Sequence, residues 1–270
     1  MDIANLKIKA KTIRRLIIEM LTEAGSGHPG GSLSCVEIIT AIYFHIMQHR
    51  PTEPNWPGRD RFILSKGHCC PTLYASLALS GYFDTSHLKT LRKLGSILQG
   101  HPDMLTTPGI EVSTGSLGQG FSVACGMALS AKIDKRGCRI YVLLGDGETQ
   151  EGQVWEAAMS AAHYKLGNLT AFLDYNKLQI DGRVEDIIGI EPVKAKWEAF
   201  GWDVKEINGH NFEEIIKACE EAKSSNKPSM IIAHTIKGKG VSFMEGKAEW
   251  HGVAPTKEEA GQALLEIENG

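Results

Sequence analysis

Apolar positions recur at helical spacing in the first part of the chain. Leu6, Ile13, Leu16, Ile17, Met20 and Leu21 fall on one face of a helix over residues 3–23. The run AGSGHPGG breaks it, because glycine and proline do not continue a helix. Ser32 is expected to cap a second helix over 33–48. A turn-rich loop then leads to a short strand, Arg61 to Leu64, and helices are expected at 71–80 and 86–93. Residues 95–120 hold six glycines and little periodicity, which reads as a long functional loop. A helix of small residues, about 119–132, precedes a strand over 139–144. Beyond residue 190 the pattern alternates: helix 193–200, strand 202–207, helix 211–223, strand 229–234, and a last helix over 256–268. Strands alternating with helices predict an α/β fold, a doubly wound, mostly parallel sheet flanked by helices. With no internal repeat and no Pro/Ser-rich linker, residues 1–270 are expected to form one domain.

One unit in this pattern carries chemistry. The apolar run Tyr141–Leu144 ends in Gly145-Asp146-Gly147, a helical stretch follows, and a second apolar run, Leu169–Leu173, ends in Asp-Tyr-Asn176. A strand–helix–strand crossover fits the 30 residues between Asp146 and Asn176. It sets a carboxylate and a carboxamide at the carboxyl ends of adjacent strands, the edge where open α/β sheets bind ligands. Gly-Asp-Gly alone is a common tight turn; paired with an asparagine at the next strand end it is far more specific. Two hard oxygens, a backbone carbonyl near Leu178, and amides around Gly147 and Glu148 suit Mg²⁺ holding a diphosphate. Residue type alone admits Ca²⁺ or Mn²⁺ equally. The segment KLQIDGRVED that follows reads as a turn.

Composition narrows the partners. A formal net charge of −3 and dispersed Lys/Arg residues give no reason to expect nucleic acid, and the Lys7–Arg15 cluster reads as a solvated helix face. No apolar run is long enough for a membrane span, and the first residues lack a signal-peptide core. Six cysteines (35, 69, 70, 125, 138, 219) show no CxxC pair, so free thiols in the reducing cytoplasm are expected. Cys69-Cys70 beside His68 could suggest a metal site, but vicinal cysteines chelate one ion poorly.

Four histidines stand in glycine- or proline-flanked loops: His28 in SGHPGG, His68 in SKGHCC, His101 in QGHPD and His251 in WHGVAP. Each alone reads as a structural hydrogen-bonding residue. Together they predict a polar, proton-transferring pocket. Zinc is disfavoured, since no pair has ligand spacing and HExxH is absent. Glu151 fits a helix start, where a carboxylate meets the positive end of the dipole. The loop Ser113-Thr-Gly-Ser-Leu-Gly-Gln-Gly opens a helix like a phosphate cradle. It matches neither GxxxxGK[ST] nor GxGxxG after a strand, so ATP and NAD are poorly supported.

These motifs in this order (SGHPGG, SKGH, GHPD, TGSLGQG, LGDGETQEG, DYNKLQIDG, HGVAP) resemble the N-terminal, diphosphate-binding domain of transketolases, which use thiamine diphosphate. The resemblance runs from about residue 10 to about 256. It implies that Asp146, Asn176 and the carbonyl of Leu178 ligate Mg²⁺. It places Gly145, Gly147, Glu148, His68 and His251 near the diphosphate, and Gly115, Ser116, Leu117 and Gly118 near the aminopyrimidine. His28, His68, His101 and His251 would surround the thiazolium and the first hydroxyls of the sugar, and Glu151 would join a carboxylate network between two active sites. Ser116 departs from the family's GPLGQG, and losing proline frees a fixed φ.

The family's pyrimidine-binding and C-terminal domains have no counterpart in these 270 residues. The resemblance therefore implies a partner chain, the C-terminal transketolase subunit, in an α2β2 heterotetramer active only when assembled, with sugar phosphates of the pentose phosphate pathway as substrates. Thr256 to Ile267, a capped amphipathic helix, agrees with a split subunit. Two other readings stay open. A 2-oxo acid dehydrogenase α chain is also split and also carries Gly-Asp-Gly and Asn, although the histidines suit polyols better than 2-oxo acids, and a deoxyxylulose phosphate synthase fits less well again. A non-catalytic cofactor-binding module would need only the diphosphate site.

Overall fold

The computed structural model describes residues 2–270. It begins with α1 (Ile3–Ala24), α2 (Pro29–Ser34), α3 (Val36–Ala41), β1 (Arg61–Leu64) and α4 (Cys70–Ser80). Next come α5 (Gln119–Ile133), β2 (Ile140–Gly145), α6 (Gly152–His163), β3 (Leu169–Tyr175) and the short pair β4 (Leu178–Gln179) and β5 (Gly182–Arg183). The remainder is α7 (Val184–Ile188), α8 (Val193–Ala199), β6 (Asp203–Asn208), α9 (Phe212–Lys223), β7 (Ser229–His234) and α10 (Lys257–Asn269). Five strands pair in parallel in the order β1-β2-β3-β7-β6.

The sheet is covered on both faces because its strands are apolar on both. Alternate residues point to opposite sides of a strand. Phe62, Leu64, Tyr141, Leu143, Phe172 and Ile231 enter one core with α1, α3, α4, α9 and α10. Their neighbours Ile63, Val142, Leu144, Ala171, Leu173 and Ile232 enter the other with α5, α6 and α8. Near-continuous apolar strands of this kind belong to buried parallel sheets. Ala124 and Ala128 of α5 and Ala157 and Ala161 of α6 keep that second layer close-packed.

The expected doubly wound parallel sheet is therefore present, with local corrections. The helix expected over 33–48 starts at Pro29, with His28 rather than Ser32 at the cap. Proline at the first turn is pre-set for a helix. Gly30 and Gly31 are tolerated there because a Cβ on either would lie 2.8 Å from the Trp250 carbonyl oxygen or 2.7 Å from Cys69 Sγ. Ser32 lies inside the helix and its hydroxyl donates to the His28 carbonyl at 2.6 Å. The helix then breaks at Cys35, and α3 runs into a π-helical turn, Ile42–Ile46. Instead of an α-helix, 86–93 contains a 3₁₀ turn, Thr85–Thr90, capped by Asp84. The turn-like KLQIDGRVED is a small antiparallel hairpin, β4–β5, running into α7.

All of β1, β2, β3 and β7 deliver their carboxyl ends to one edge of the sheet. The segments that follow them, 65–69, 146–151, 176–180 and 235–240, lie there together.

Candidate active site

Gly145 of β2 is in register with Asp174 of β3, so Asp146 and Asn176 project from neighbouring strand ends. Asp146 is 3% exposed. Its carboxylate accepts from the Gly147 N–H at 2.8 Å and from the Lys177 N–H at 2.5 Å, which ties the two ends together. Lys177 has φ +65, a left-handed turn that directs the chain back into the β4–β5 hairpin. Asn176 Nδ2 donates to Asp174 at 3.3 Å, and its Oδ1 accepts from the Leu178 N–H at 3.1 Å. Gly147 must lack a side chain, since a Cβ there would sit 2.6 Å from Gln179 Oε1.

Beneath this turn lies a hub that the sequence did not reveal. Asp174 is fully buried and accepts from the Lys66 ammonium, from Thr235, and from Ser34 at 2.5 Å. Burial pushes the Lys66 ammonium down, but the charge and hydrogen bond of Asp174 together with the buried thiols of Cys35 and Cys69 outweigh it and hold the lysine well above its ordinary value. Lys66 also donates to the Gly31 carbonyl at 3.0 Å. The opposite holds for Asp146. Burial, then the negative charge of Asp174, pushes its carboxyl up to about 7. Two carboxylates this close call for a cation between the strand ends.

Lys237, in the turn after β7, reaches the same place. Its ammonium donates to His251 Nδ1 at 2.9 Å and to the Leu178 carbonyl at 3.3 Å. Burial lowers its affinity for the proton. Because Nδ1 of His251 accepts, its Nε2 carries the hydrogen.

The four loop histidines do converge. The ring centroids of His28 and His68 are 5.2 Å apart, His28 and His251 5.4 Å, His68 and His251 5.1 Å, and His28 and His101 6.5 Å. Burial, then the charge of His68, lowers His28 to about 4. Burial, then Lys237, lowers His251 to about 3, and burial also lowers His101. His28, His101 and His251 are therefore neutral at pH 7, ready to accept or donate a hydroxyl proton. His28 Nδ1 is buried with no partner among the described residues, so it is available to a ligand.

The cavity at this edge measures about 380 Å³. Its lining includes His28, His68, Gly115, Leu117, Gly145, Asp146, Gly147, Glu148, Glu151, Asn176, Leu178 and His251. His101 is exposed at the rim and packs its ring against Gly115. Ser116 is exposed, and Glu151 is an exposed helix cap. Gly118 does not offer its amide outward: it donates to buried Glu148 Oε1 at 2.8 Å. Glu148 also accepts from the Gly145 N–H at 3.0 Å and from Ser65, so its side chain braces three loops instead of facing a ligand. The Gly147 amide, expected to be open, is taken by Asp146.

Lys66, Lys237 and Asp174 were missed because lysines in SKGH and IKGKG look like any surface lysine. Adjacency to a buried strand end was the only available signal. Cys69 and Cys70 are buried free thiols, and no group of three His, Cys, Asp or Glu side chains gathers as a metal site among the described residues. Any metal here would take Asp146 with neutral oxygen donors. A larger cavity of about 530 Å³ lies between α1 and α10, away from these residues.

Residues 6–266 match the family model described as transketolase, thiamine diphosphate binding domain. The chain belongs to the transketolase family. It is 51% identical to the 6-deoxy-6-sulfo-D-fructose transketolase subunit SqwG of Clostridium sp. (strain MSTE9), over 98% of this chain and 96% of that protein. It is 46% identical to an apulose-4-phosphate transketolase subunit of Phocaeicola vulgatus, over 99% of this chain and 95% of that one. Human transketolase is 44% identical over 97% of this chain, which spans only 42% of the human protein. The crystal structure of the Campylobacter jejuni transketolase superposes with a TM-score of 0.94 at 39% identity, covering 99% of this chain and 43% of that one. Transketolases thus occur both as chains of this length, named as subunits, and as chains more than twice as long.

Proposed function

We propose that this chain is the diphosphate-binding subunit of a two-chain transketolase. It transfers a two-carbon ketol unit from a ketose with an anionic tail to an aldose. The observation that carries this reading is the gathering of four histidines over the Asp146–Asn176 strand ends. A site for diphosphate alone has no use for His28 and His101.

The residues present fit the cofactor. Asp146, Asn176 and the Leu178 carbonyl would hold Mg²⁺, with Ca²⁺ or Mn²⁺ as alternatives of the same hard-oxygen preference. A cation there would restore Asp146 to its carboxylate form. The ammonium of Lys237 and the imidazoles of His68 and His251 would face the diphosphate. Leu117 and the exposed Ile180 offer apolar contact to the organic part, with Gly115 leaving room for it. When bound, thiamine diphosphate supplies a nucleophilic carbon, and the partner chain is expected to cover its pyrimidine. His28, with an unpartnered Nδ1, and His251, with Nε2–H turned away from Lys237, take and return the hydroxyl protons of the sugar. His101 closes the rim, and Glu151 faces a second copy or the partner. Six free cysteines agree with a cytoplasmic location.

The test is reconstitution. This chain and its candidate partner, expressed separately and mixed with thiamine diphosphate and Mg²⁺, are assayed for ketol transfer from xylulose 5-phosphate and from 6-deoxy-6-sulfofructose. Transfer only in the mixture is expected. Transfer by this chain alone, or a pair that binds the cofactor but moves no ketol unit, overturns the reading.

A further inference from the structure

Arg92 lies outside everything assigned so far. Its backbone has φ +60, a left-handed conformation that arginine rarely adopts, held by the Arg92 N–H donating to the Leu98 carbonyl at 2.9 Å. The guanidinium lies over Gly100. A Cβ on that glycine would be 2.8 Å from Cζ and 3.0 and 3.1 Å from the two terminal nitrogens. Its Nε is 3.8 Å from where a Cβ of Gly27 would stand. Gly27 precedes His28 and Gly100 precedes His101, so one side chain is seated between the two turns that present these histidines.

Among the described residues no carboxylate pairs with Arg92, whereas Arg14, Arg59 and Arg61 are all paired. Its one polar contact is a long bond from Nη2 to the Gly100 carbonyl, 3.5 Å, which leaves most of its five N–H donors unused. Arg92 is exposed where His28 is half-buried, so it stands farther out. Burial comes first in keeping His28 and His101 neutral, and the charge of Arg92 adds to it.

We infer that Arg92 is a specificity-determining residue, the part of the anion-reading site that this chain itself contributes. It grips the phosphate or sulfonate tail of the ketose while the histidines meet its first hydroxyls. The inference rests on the ketol-transfer reading. A planar fork held over a glycine floor suits two oxygens of a tetrahedral oxyanion. Lysine would keep the charge and lose the fork.

The experiment uses the assembled pair with cofactor and Mg²⁺, and glycolaldehyde, which has no charge, as acceptor throughout. Arg92→Met should lower kcat/KM for xylulose 5-phosphate and for 6-deoxy-6-sulfofructose by about 10- to 100-fold, mostly through KM. D-xylulose and D-fructose, the uncharged controls, should be unaffected. Arg92→Lys should fall between. Loss with one oxyanion only identifies the tail that is read. A uniform fall over charged and uncharged donors would overturn the inference and make Arg92 a brace between turns; no change with either would overturn it as well. A binding arm separates the two readings. Calorimetry with arabitol 5-phosphate, an unreactive polyol phosphate, should show affinity falling about 10- to 100-fold in Arg92→Met. A wild-type pair that turns over no donor sinks the reaction. Equal affinity of wild type and variant for arabitol 5-phosphate sinks the role of the arginine.

Discussion

Replacing Asp146 by asparagine separates the cost of a buried charge from the use made of it. The carboxamide would keep the shape and resemble the protonated carboxyl. In the chain without metal, burial and Asp174 raise Asp146 from the ordinary 3.8 to about 7. At roughly 1.4 kcal/mol for each pH unit, that rise corresponds to about 4 kcal/mol as a ceiling. The sign follows from linkage. The folded chain holds this proton more tightly than the unfolded chain does, so the penalty is absent below about pH 4. It grows as pH rises towards 7 and is constant above. Urea unfolding of the metal-free chain should therefore find Asp146→Asn equal to wild type near pH 4. At pH 8 the variant should be more stable by about 2–4 kcal/mol. Adding Mg²⁺ and thiamine diphosphate should close most of that gap, because a ligand at about 100 times its Kd stabilises wild type by roughly 2.7 kcal/mol. The variant, lacking an anionic ligand for the metal, should gain little. A variant less stable than wild type by the same amount at every pH would refute the reasoning.

Three other substitutions test the supports. Lys66→Met leaves Asp174 buried without its cation and should cost about 3–5 kcal/mol in urea unfolding, whereas loss under 1 kcal/mol would show that the hub is not electrostatic. Gly120→Ala puts a Cβ 2.8 Å from the backbone Cα of Ser65, which cannot yield as a side-chain tip would; about 1–3 kcal/mol of stability should be lost, with weaker cofactor binding through the displaced Ser65–His68 turn. Lys237→Met removes the donor to His251 Nδ1. It should weaken thiamine diphosphate binding about tenfold or more in calorimetry and raise the His251 titration seen by NMR, because a neighbouring cation is gone. An unmoved His251 would deny the pair.

The sheet was legible because its strands are apolar on both faces and its helices are periodic, signals that survive without any tertiary knowledge. The edge that carries the site was legible too. Gly145-Asp146-Gly147 and Asn176 each end a strand, and parallel strands point their carboxyl ends the same way. What failed locally was the chain around Gly30 and Gly31. There propensity argues for a loop, yet close approach to Trp250 and Cys69 selects glycine inside a helix. In the same way Glu148 was read through its backbone amide, while its side chain turned inward to Ser65, Gly118 and Gly145.

The residues hardest to read were the charged ones that the fold buries. A lysine carries no sequence mark of burial, and Lys66 and Lys237 are only 2% exposed. His28, His101 and His251 resist protonation, through burial first and neighbouring charges second, so the positive charge of the site comes from a lysine beneath and an arginine at the rim. That division suits a substrate and cofactor that are both anions. Lys237 brings positive charge to the strand ends, where Lys66 is already paired with Asp174, Arg92 forms a positive edge, and between them the neutral His28, His101 and His251 remain free to trade protons with hydroxyl groups. Burial does most to keep these imidazoles neutral, and the nearby cations add to it, so proton exchange and anion binding fall to different side chains.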